Sequence, residues 1–112
     1  MNDHPLPIAC NLPAAALAQR EQELAATIFR HRLAVRELPD GYEFQFPPDD
    51  DWGARLLEFI QFERQCCPFF AFEFAFEPNQ GPIWLRMRGG EGVKQLLAAD
   101  GAVWLAPPDC KP

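Results

Sequence analysis

The sequence lacks the features that mark proteins of membranes and nucleic-acid complexes. No apolar run approaches the ~20 residues that a helix needs to cross a bilayer, and residues 1–5 have neither the basic region nor the apolar stretch of a signal peptide. Lys and Arg are not concentrated in any stretch, and the net charge is −6. Because nucleic acids and anionic membranes attract cationic surfaces, we expect a cytoplasmic protein that binds neither.

The spacings typical of zinc sites are also missing. The four cysteines include no C-x-x-C motif, and the two histidines are not paired, which argues against a closed structural zinc site. Disulfide frameworks are typical of secreted proteins, whereas cysteines of cytosolic proteins are more often thiols, metal ligands or redox groups. The cysteines are therefore expected to be chemical groups rather than structural cross-links.

What the sequence does contain predicts one small folded domain. A chain of 112 residues that is 48% hydrophobic is long enough to enclose a single core. We predict an extended arm over 1–11, where Pro5 and Pro7 occur, a single domain over 12–100, and a proline-rich tail over 101–112.

Hydrophobic periodicity predicts an α+β fold with the order α-β-β-α-β-β-α. Helix-forming residues run from about 13 to 29, from 49 or 50 to about 67, and from about 91 to 98. Between them lie two predicted hairpins, the first turning at Leu38-Pro39-Asp40-Gly41. We expect a four-stranded antiparallel sheet with the helices packed on one face.

The second hairpin has the clearest alternation in the chain. One face of its first strand carries four phenylalanines, Phe70, Phe72, Phe74 and Phe76, and the facing strand adds Ile83, Leu85 and Met87. The opposite face combines Trp84 with Phe69, Ala71 and Ala75, which would form an exposed apolar patch and a possible homodimer contact.

The feature with the most specific chemical implication is the vicinal pair Cys66–Cys67 at the end of the second predicted helix. Both fall on the apolar arc of that helix, and so does Glu63, one turn before them. A carboxylate on a core-facing arc is costly unless a partner neutralises it or it coordinates an ion. Two sulfurs and an oxygen at one helix end can supply three ligands to a thiophilic ion such as Zn²⁺, Cu⁺ or Hg²⁺.

A purely structural role for the pair stays open. Free cysteine is often buried as a small hydrophobe, and Glu63 would then pair with an arginine such as Arg20. Activated nucleophilic thiols tend to lie at helix N-termini, whereas Cys66 and Cys67 lie at a C-terminus, where the helix dipole disfavours a thiolate. A bound cation would reverse that penalty, so the position favours binding over catalysis. A vicinal disulfide would close a strained small ring and ranks third.

Cys10, just before the first helix, would complete a three-sulfur site if the arm folds over the helix end. Cys110 lies in the tail and is expected to be a bystander. His31, at a helix-to-strand junction, is the better of the two histidines as a spare ligand.

Four segments together resemble a family of small, uncharacterised bacterial proteins. They are 8–12 (IACNL), 37–42 (ELPDGY), 63–69 (ERQCCPF) and 81–85 (GPIWL). Members occur alone or attached to mercury-resistance-type (MerR) regulators, near heavy-metal resistance functions. The resemblance implies a Cys10/Cys66/Cys67 trio with Glu63 and a heavy-metal context, but no established activity.

The resulting prediction is a soft-metal-ion binding protein, for Hg, Cu, Zn or As, that senses the ion or hands it over. Its ligands would be Cys66, Cys67, Cys10 and Glu63. The alternatives are a small thiol redox enzyme, a metal-dependent lyase with Glu63 as proton donor, or a non-catalytic interaction module that dimerises through the Trp84 face.

Overall fold

The computed structural model describes residues 26–100, together with Ala15, Gln19, Glu23 and Leu105. For Cys66 and Asp100 it describes the backbone alone. The predicted arm over 1–11, and all of the predicted tail except Leu105, therefore lie outside the described residues. Within the described part of the chain, no helix is long and apolar enough to cross a membrane.

The predicted order of elements is confirmed. Helical residues at 15, 19, 23 and 26–28 fall in the span predicted for the first helix, and a turn of 3₁₀ helix follows at Phe29–His31. The strands are β1 (Ala34–Leu38), β2 (Gly41–Phe46), β3 (Ala71–Phe76) and β4 (Ile83–Arg88), and the bounded helices are α1 (Asp50–Cys66) and α2 (Val93–Asp100).

The four strands form one antiparallel sheet in the order β1-β2-β4-β3. Leu85 of β4 lies opposite Phe44 of β2 on one side and Phe74 of β3 on the other. The helix α1 connects β2 to β3, which are not neighbours in the sheet. The strand β4 lies between them and pairs with both. As a result β4 and β2 are central, whereas β1 and β3 are the edges.

The hydrophobic core lies between one face of this sheet and the helices. It contains Ile28, Phe29, Phe44, Phe46, Trp52, Leu56, Phe59, Ile60, Ile83, Leu85, Met87 and Leu97. Phe29 is central to it, with edge-to-face contacts to Phe44 at 4.9 Å and to Phe59 at 5.3 Å between ring centroids. Each fully buried phenylalanine contributes about 1.5–3 kcal/mol to the free energy of unfolding, because its apolar surface is removed from water. This layer therefore accounts for most of the stabilisation.

On the opposite face a row of alternating charges crosses all four strands. The register aligns Arg36, Glu43, Arg86 and Glu73, one from each strand. Glu43, whose side chain is only 8% exposed, accepts from Arg86 at 2.8 Å and from Arg36 at 3.5 Å. Arg86 also lies 3.7 Å from Glu73. The carboxylate of Glu43 is therefore balanced by an arginine on either side, which is what allows it to be buried.

Arg88 extends the same charged face. Its guanidinium donates to Asp40 at 2.9 Å and to Glu73 at 3.2 Å. These two hydrogen bonds, that to Asp40 first, raise the pKa of Arg88 above its ordinary value. Glu73 thus pairs with both arginines of β4, while Glu77 accepts a hydrogen bond from the Trp84 indole.

The expected exposure of Trp84 is wrong. The residue is only 5% exposed, because the guanidinium of Arg36 covers its ring at 4.3 Å and its indole N–H donates to Glu77 at 2.5 Å. Phe69 is 8% exposed and packs elsewhere, against Cys67. A homodimer through this face stays a prediction, but Trp84 and Phe69 do not form an exposed apolar patch there.

Candidate functional site

The helix α1 ends where its sequence requires it to end. Asp49 is its N-cap residue, although its side chain makes no capping hydrogen bond, and Asp50 and Asp51 in the first turn complement the helix dipole. At the other end, Pro68 disfavours helical dihedrals at the residue before it. Cys67 accordingly leaves the helix with φ −129° and ψ 71°. The candidate site is built on this junction between α1 and β3.

Cys67 is held at the helix end by its backbone and by apolar packing. Its N–H donates to the carbonyl of Glu63 at 2.6 Å, the last helical bond. Its side chain is 4% exposed and lies in a small cluster with Phe69 and Val93. Val93 is the first residue of α2, so the cluster includes residues from the end of α1 and the start of α2.

Glu63 lies within the core, as its place on the apolar arc of α1 predicts. It is 1% exposed, and its backbone carbonyl receives the N–H of Cys67. A buried carboxylate is stable only with a compensating group, and Glu63 does take part in a further interaction. The structure thus brings a carboxylate and a sulfur to adjacent turns on the buried side of one helix.

Cys67 is disulfide-bonded. Its partner is one of the other three cysteines, Cys10, Cys66 and Cys110, none of whose side chains is among those described. The sequence instead favoured thiols or metal ligands. A disulfide and a dithiol metal site share one requirement, which is that two cysteine sulfurs lie next to each other, and the sequence pattern cannot distinguish between them.

The remaining members of the predicted ligand set fall outside what the structure describes. This holds for Cys10 and for the side chain of Cys66. Among the residues whose side chains are described, no group of three or more His, Cys, Asp or Glu is arranged to hold a metal ion. Of the predicted set, the structure therefore places Glu63 and Cys67.

His31 is not a spare ligand for this site. Its ring lies 5.4 Å from that of Trp52, in the first turn of α1. Cys67 follows the last residue of that helix, roughly 22 Å further along the axis at 1.5 Å per residue. The histidine and the cysteine are therefore at opposite ends of α1.

Nothing in the sequence indicated that Val93 shares a buried cluster with Cys67. Val93 also lies very close to Gly89, where an added Cβ would be 2.5 Å from Cγ1 and 2.6 Å from Cβ of Val93. The Gly89-Gly90 pair marks a turn in the sequence, but only the folded chain shows that Gly89 leaves room for the start of α2.

We expect Gly89→Ala to destabilise the domain by about 1–3 kcal/mol, the usual cost of overpacking. Valine is stiff at χ1 and this one is 2% exposed, so Val93 cannot make room without disturbing its packing with Cys67 and Phe69. The matched control is Gly90→Ala, since a Cβ at Gly90 meets nothing within 4 Å. Urea denaturation measures the stability of both variants. Equal stability would contradict the role given to Gly89.

Comparisons with known proteins identified no relative. No family model, no curated protein and no solved structure matches the chain. Its function is accordingly inferred from the chemistry of the site itself.

Proposed function

We propose that this chain is a binding protein for a soft metal ion. Cys66 and Cys67 are the primary ligands, Cys10 is the third, and Glu63 is either a ligand or a hydrogen-bond acceptor beside them. The observation that carries the proposal is the sulfur of Cys67, which is bonded to a second sulfur one turn after a carboxylate that is 1% exposed.

Reduction of this disulfide would convert it into a chelating group. A thiol reductant supplies two electrons and two protons and is itself oxidised to a disulfide, which leaves two thiols whose sulfurs start next to each other. A thiophilic cation then displaces their protons and binds both thiolates. At the C-terminal end of α1 the helix dipole disfavours an uncompensated thiolate. A cation removes this penalty, and the buried carboxylate of Glu63 adds negative charge that favours it further.

Soft donors select soft ions. Thiolates favour Cu⁺, Zn²⁺ and Hg²⁺, and a site with three thiolates also suits trivalent arsenic. With three sulfur ligands a tetrahedral ion keeps one position open, which suits transient binding. Sensing an ion or handing it to another protein fits such a site better than permanent structural use.

The disulfide also favours a second candidate, a thiol redox enzyme. In that reaction a substrate disulfide is reduced while the cysteine pair is oxidised, and one sulfur must be open to attack. Cys67 is only 4% exposed, so the attacking sulfur would have to be that of its partner. A lyase in which Glu63 donates the proton has a similar difficulty, since Glu63 is 1% exposed.

Native mass spectrometry of the reduced chain, titrated separately with Zn²⁺, Cu⁺ and Hg²⁺, tests the proposal. We expect one ion per chain and no adduct with the Cys66→Ser/Cys67→Ser variant. The control is Cys110→Ser, which removes a cysteine outside the proposed site and should bind as the parent does. Single Cys10→Ser and Glu63→Gln variants then report whether these two residues contribute.

The same titration separates the candidates. An intact reduced fold that takes up no ion, and whose thiols reduce a small disulfide substrate with turnover, would replace metal binding by redox catalysis. Buried thiols that neither bind ions nor react would leave Cys66 and Cys67 with a structural role only.

A further inference from the structure

The two edges of the sheet are protected very differently. The edge strand β1 carries Arg36 and Glu37 and is followed at once by Pro39, and charges and prolines are the usual means of preventing an edge from pairing. The other edge, β3, reads Ala-Phe-Glu-Phe-Ala-Phe. Its one charge, Glu73, is engaged by Arg86 and Arg88. By these criteria β3 is an open edge.

Among the described residues, no further strand pairs with the outer side of β3, which leaves the hydrogen-bonding groups of this edge available. In an antiparallel ladder, alternate residues direct their N–H and C=O toward the neighbouring strand. The backbone N–H of Glu77 donates to the carbonyl of Pro82. Every second residue before Glu77, namely Ala75 and Glu73, therefore also directs its backbone groups to β4. The backbone groups of Phe72, Phe74 and Phe76 therefore point away from the sheet.

Exposed apolar surface accompanies the same edge. Among the described residues, three large hydrophobic side chains are exposed, and two of them are Phe76 (61% exposed) and Leu57 (47% exposed). Gly53 of α1 lies close to the Phe76 ring, at 3.8 Å from the position of an added Cβ. Leu57 follows Gly53 by one turn and shares its side of the helix. Exposed apolar side chains therefore lie at the end of β3, where Phe76 stands, and on the side of α1 that Gly53 and Leu57 share.

The sequence of the edge identifies what would cover it. Residues 70–76 read Phe-Ala-Phe-Glu-Phe-Ala-Phe, the same in both directions. In antiparallel pairing of this strand with its own copy, phenylalanine at every second position places aromatics opposite aromatics, whichever residue lies at the centre. We propose that two copies of this chain associate through β3, by antiparallel pairing that joins their sheets into one of eight strands.

Charge selects the register of that pairing. If the two-fold axis of the pairing passed through Glu73, the two Glu73 carboxylates would lie directly opposite each other, which is unfavourable. Centred on Phe74, it pairs Phe74 with itself, Phe72 with Phe76 of the second copy, and Glu73 with Ala75 of the second copy. All six outward-pointing residues of the two strands then face each other, so their N–H and C=O groups are satisfied.

Sedimentation of the whole chain, with one variant at each edge, tests this assignment. We expect the parent to be a non-covalent dimer, with denaturing mass spectrometry showing no disulfide between copies. Phe76→Lys should weaken the dimer about a hundredfold, since a charge replaces an aromatic contact in both copies. Leu33→Lys is the matched control, because Leu33 is 50% exposed beside β1 and should leave the dimer unchanged.

Hydrogen exchange locates the interface independently of any variant. In the dimer the amides of Phe72, Phe74 and Phe76 should exchange more slowly than in diluted monomer, while those of Glu73 and Ala75, already bonded to β4, should change little. A monomeric parent would overturn the proposal. So would a dimer that Phe76→Lys leaves intact, or one in which these three amides stay fast, as a dimer through the opposite sheet face predicts.

Discussion

Reduction of the disulfide at Cys67 is expected to lower the free energy of unfolding by about 4 kcal/mol. In this prediction the disulfide partner of Cys67 is Cys10, a member of the proposed site. That bond closes a loop of roughly 60 residues, and a cross-link of that length removes much entropy from the unfolded chain. Because small domains are stable by about 5–15 kcal/mol, the reduced protein would lose a large part of its stability. Urea denaturation of the oxidised and reduced forms measures the difference.

The size of the loss also identifies the partner cysteine. A disulfide to the adjacent Cys66 closes almost no loop and would contribute only about 1 kcal/mol in the same entropic account. In oxidised Cys10→Ser protein the dependence on reductant should disappear, whereas Cys110→Ser should retain it in full. Retained dependence in Cys10→Ser protein would show that Cys67 pairs with another cysteine.

A metal ion should restore what reduction removes. An ion that binds only the folded reduced chain stabilises it by about 2.7 kcal/mol at a free concentration one hundred times its Kd. The recovery should be missing in the Cys66→Ser/Cys67→Ser variant. Reduced protein whose stability is the same with and without Zn²⁺, Cu⁺ and Hg²⁺ would speak against the proposed metal site, whichever cysteine is the partner of Cys67.

Gly41→Ala is expected to cost about 4 kcal/mol or more, among the largest effects of a single substitution. Gly41 opens β2 and pairs with Arg88 of β4. A Cβ at this position would lie 1.9 Å from the backbone oxygen of Met87 and 2.9 Å from Cα of Arg88. These atoms belong to a central strand paired on both sides, so they cannot move without breaking the ladder.

The neighbouring turn offers a control for this prediction too. Gly90→Ala introduces the same methyl group where nothing lies within 4 Å, and we expect its stability to stay within about 1 kcal/mol of the parent. Circular dichroism during urea denaturation compares the two variants. If Gly41→Ala unfolds at the same urea concentration as Gly90→Ala, the close approach of β2 to β4 is not as tight as described.

Periodicity predicted the elements of this fold but not their neighbours. The alternation in β3 correctly placed its phenylalanines on one face, yet Phe76 is 61% exposed, because alternation does not say whether a strand is central or at an edge. Trp84 shows the same limit. Its place on the outer face followed from the pattern, whereas its cover by Arg36, from two strands away, depends on the strand order.

The candidate site was likewise predictable only in its local part. The adjacency of Glu63 and Cys67 is local, since residues four apart in a helix are neighbours, and the apolar arc correctly predicted that both are buried. The cluster that holds Cys67 and Val93 brings together segments distant in the chain. No local pattern contains that information, and the same holds for the disulfide partner of Cys67.

The charged row across the outer face bears on which alignment of strands the chain adopts. The apolar face is degenerate: phenylalanine recurs at every second residue of β3, so a shift of two residues along β4 would still set aromatic against aliphatic side chains. The row is not degenerate, because each strand contributes one charge to it. A shift of β3 along β4 moves Glu73 from its place between Arg86 and Arg88. A shift of β1 or β4 along β2 carries Glu43 away from Arg36 or Arg86, whose pairing balances its buried charge. The aromatic layer makes the sheet stable, and the charged row on the opposite face selects one alignment of its strands.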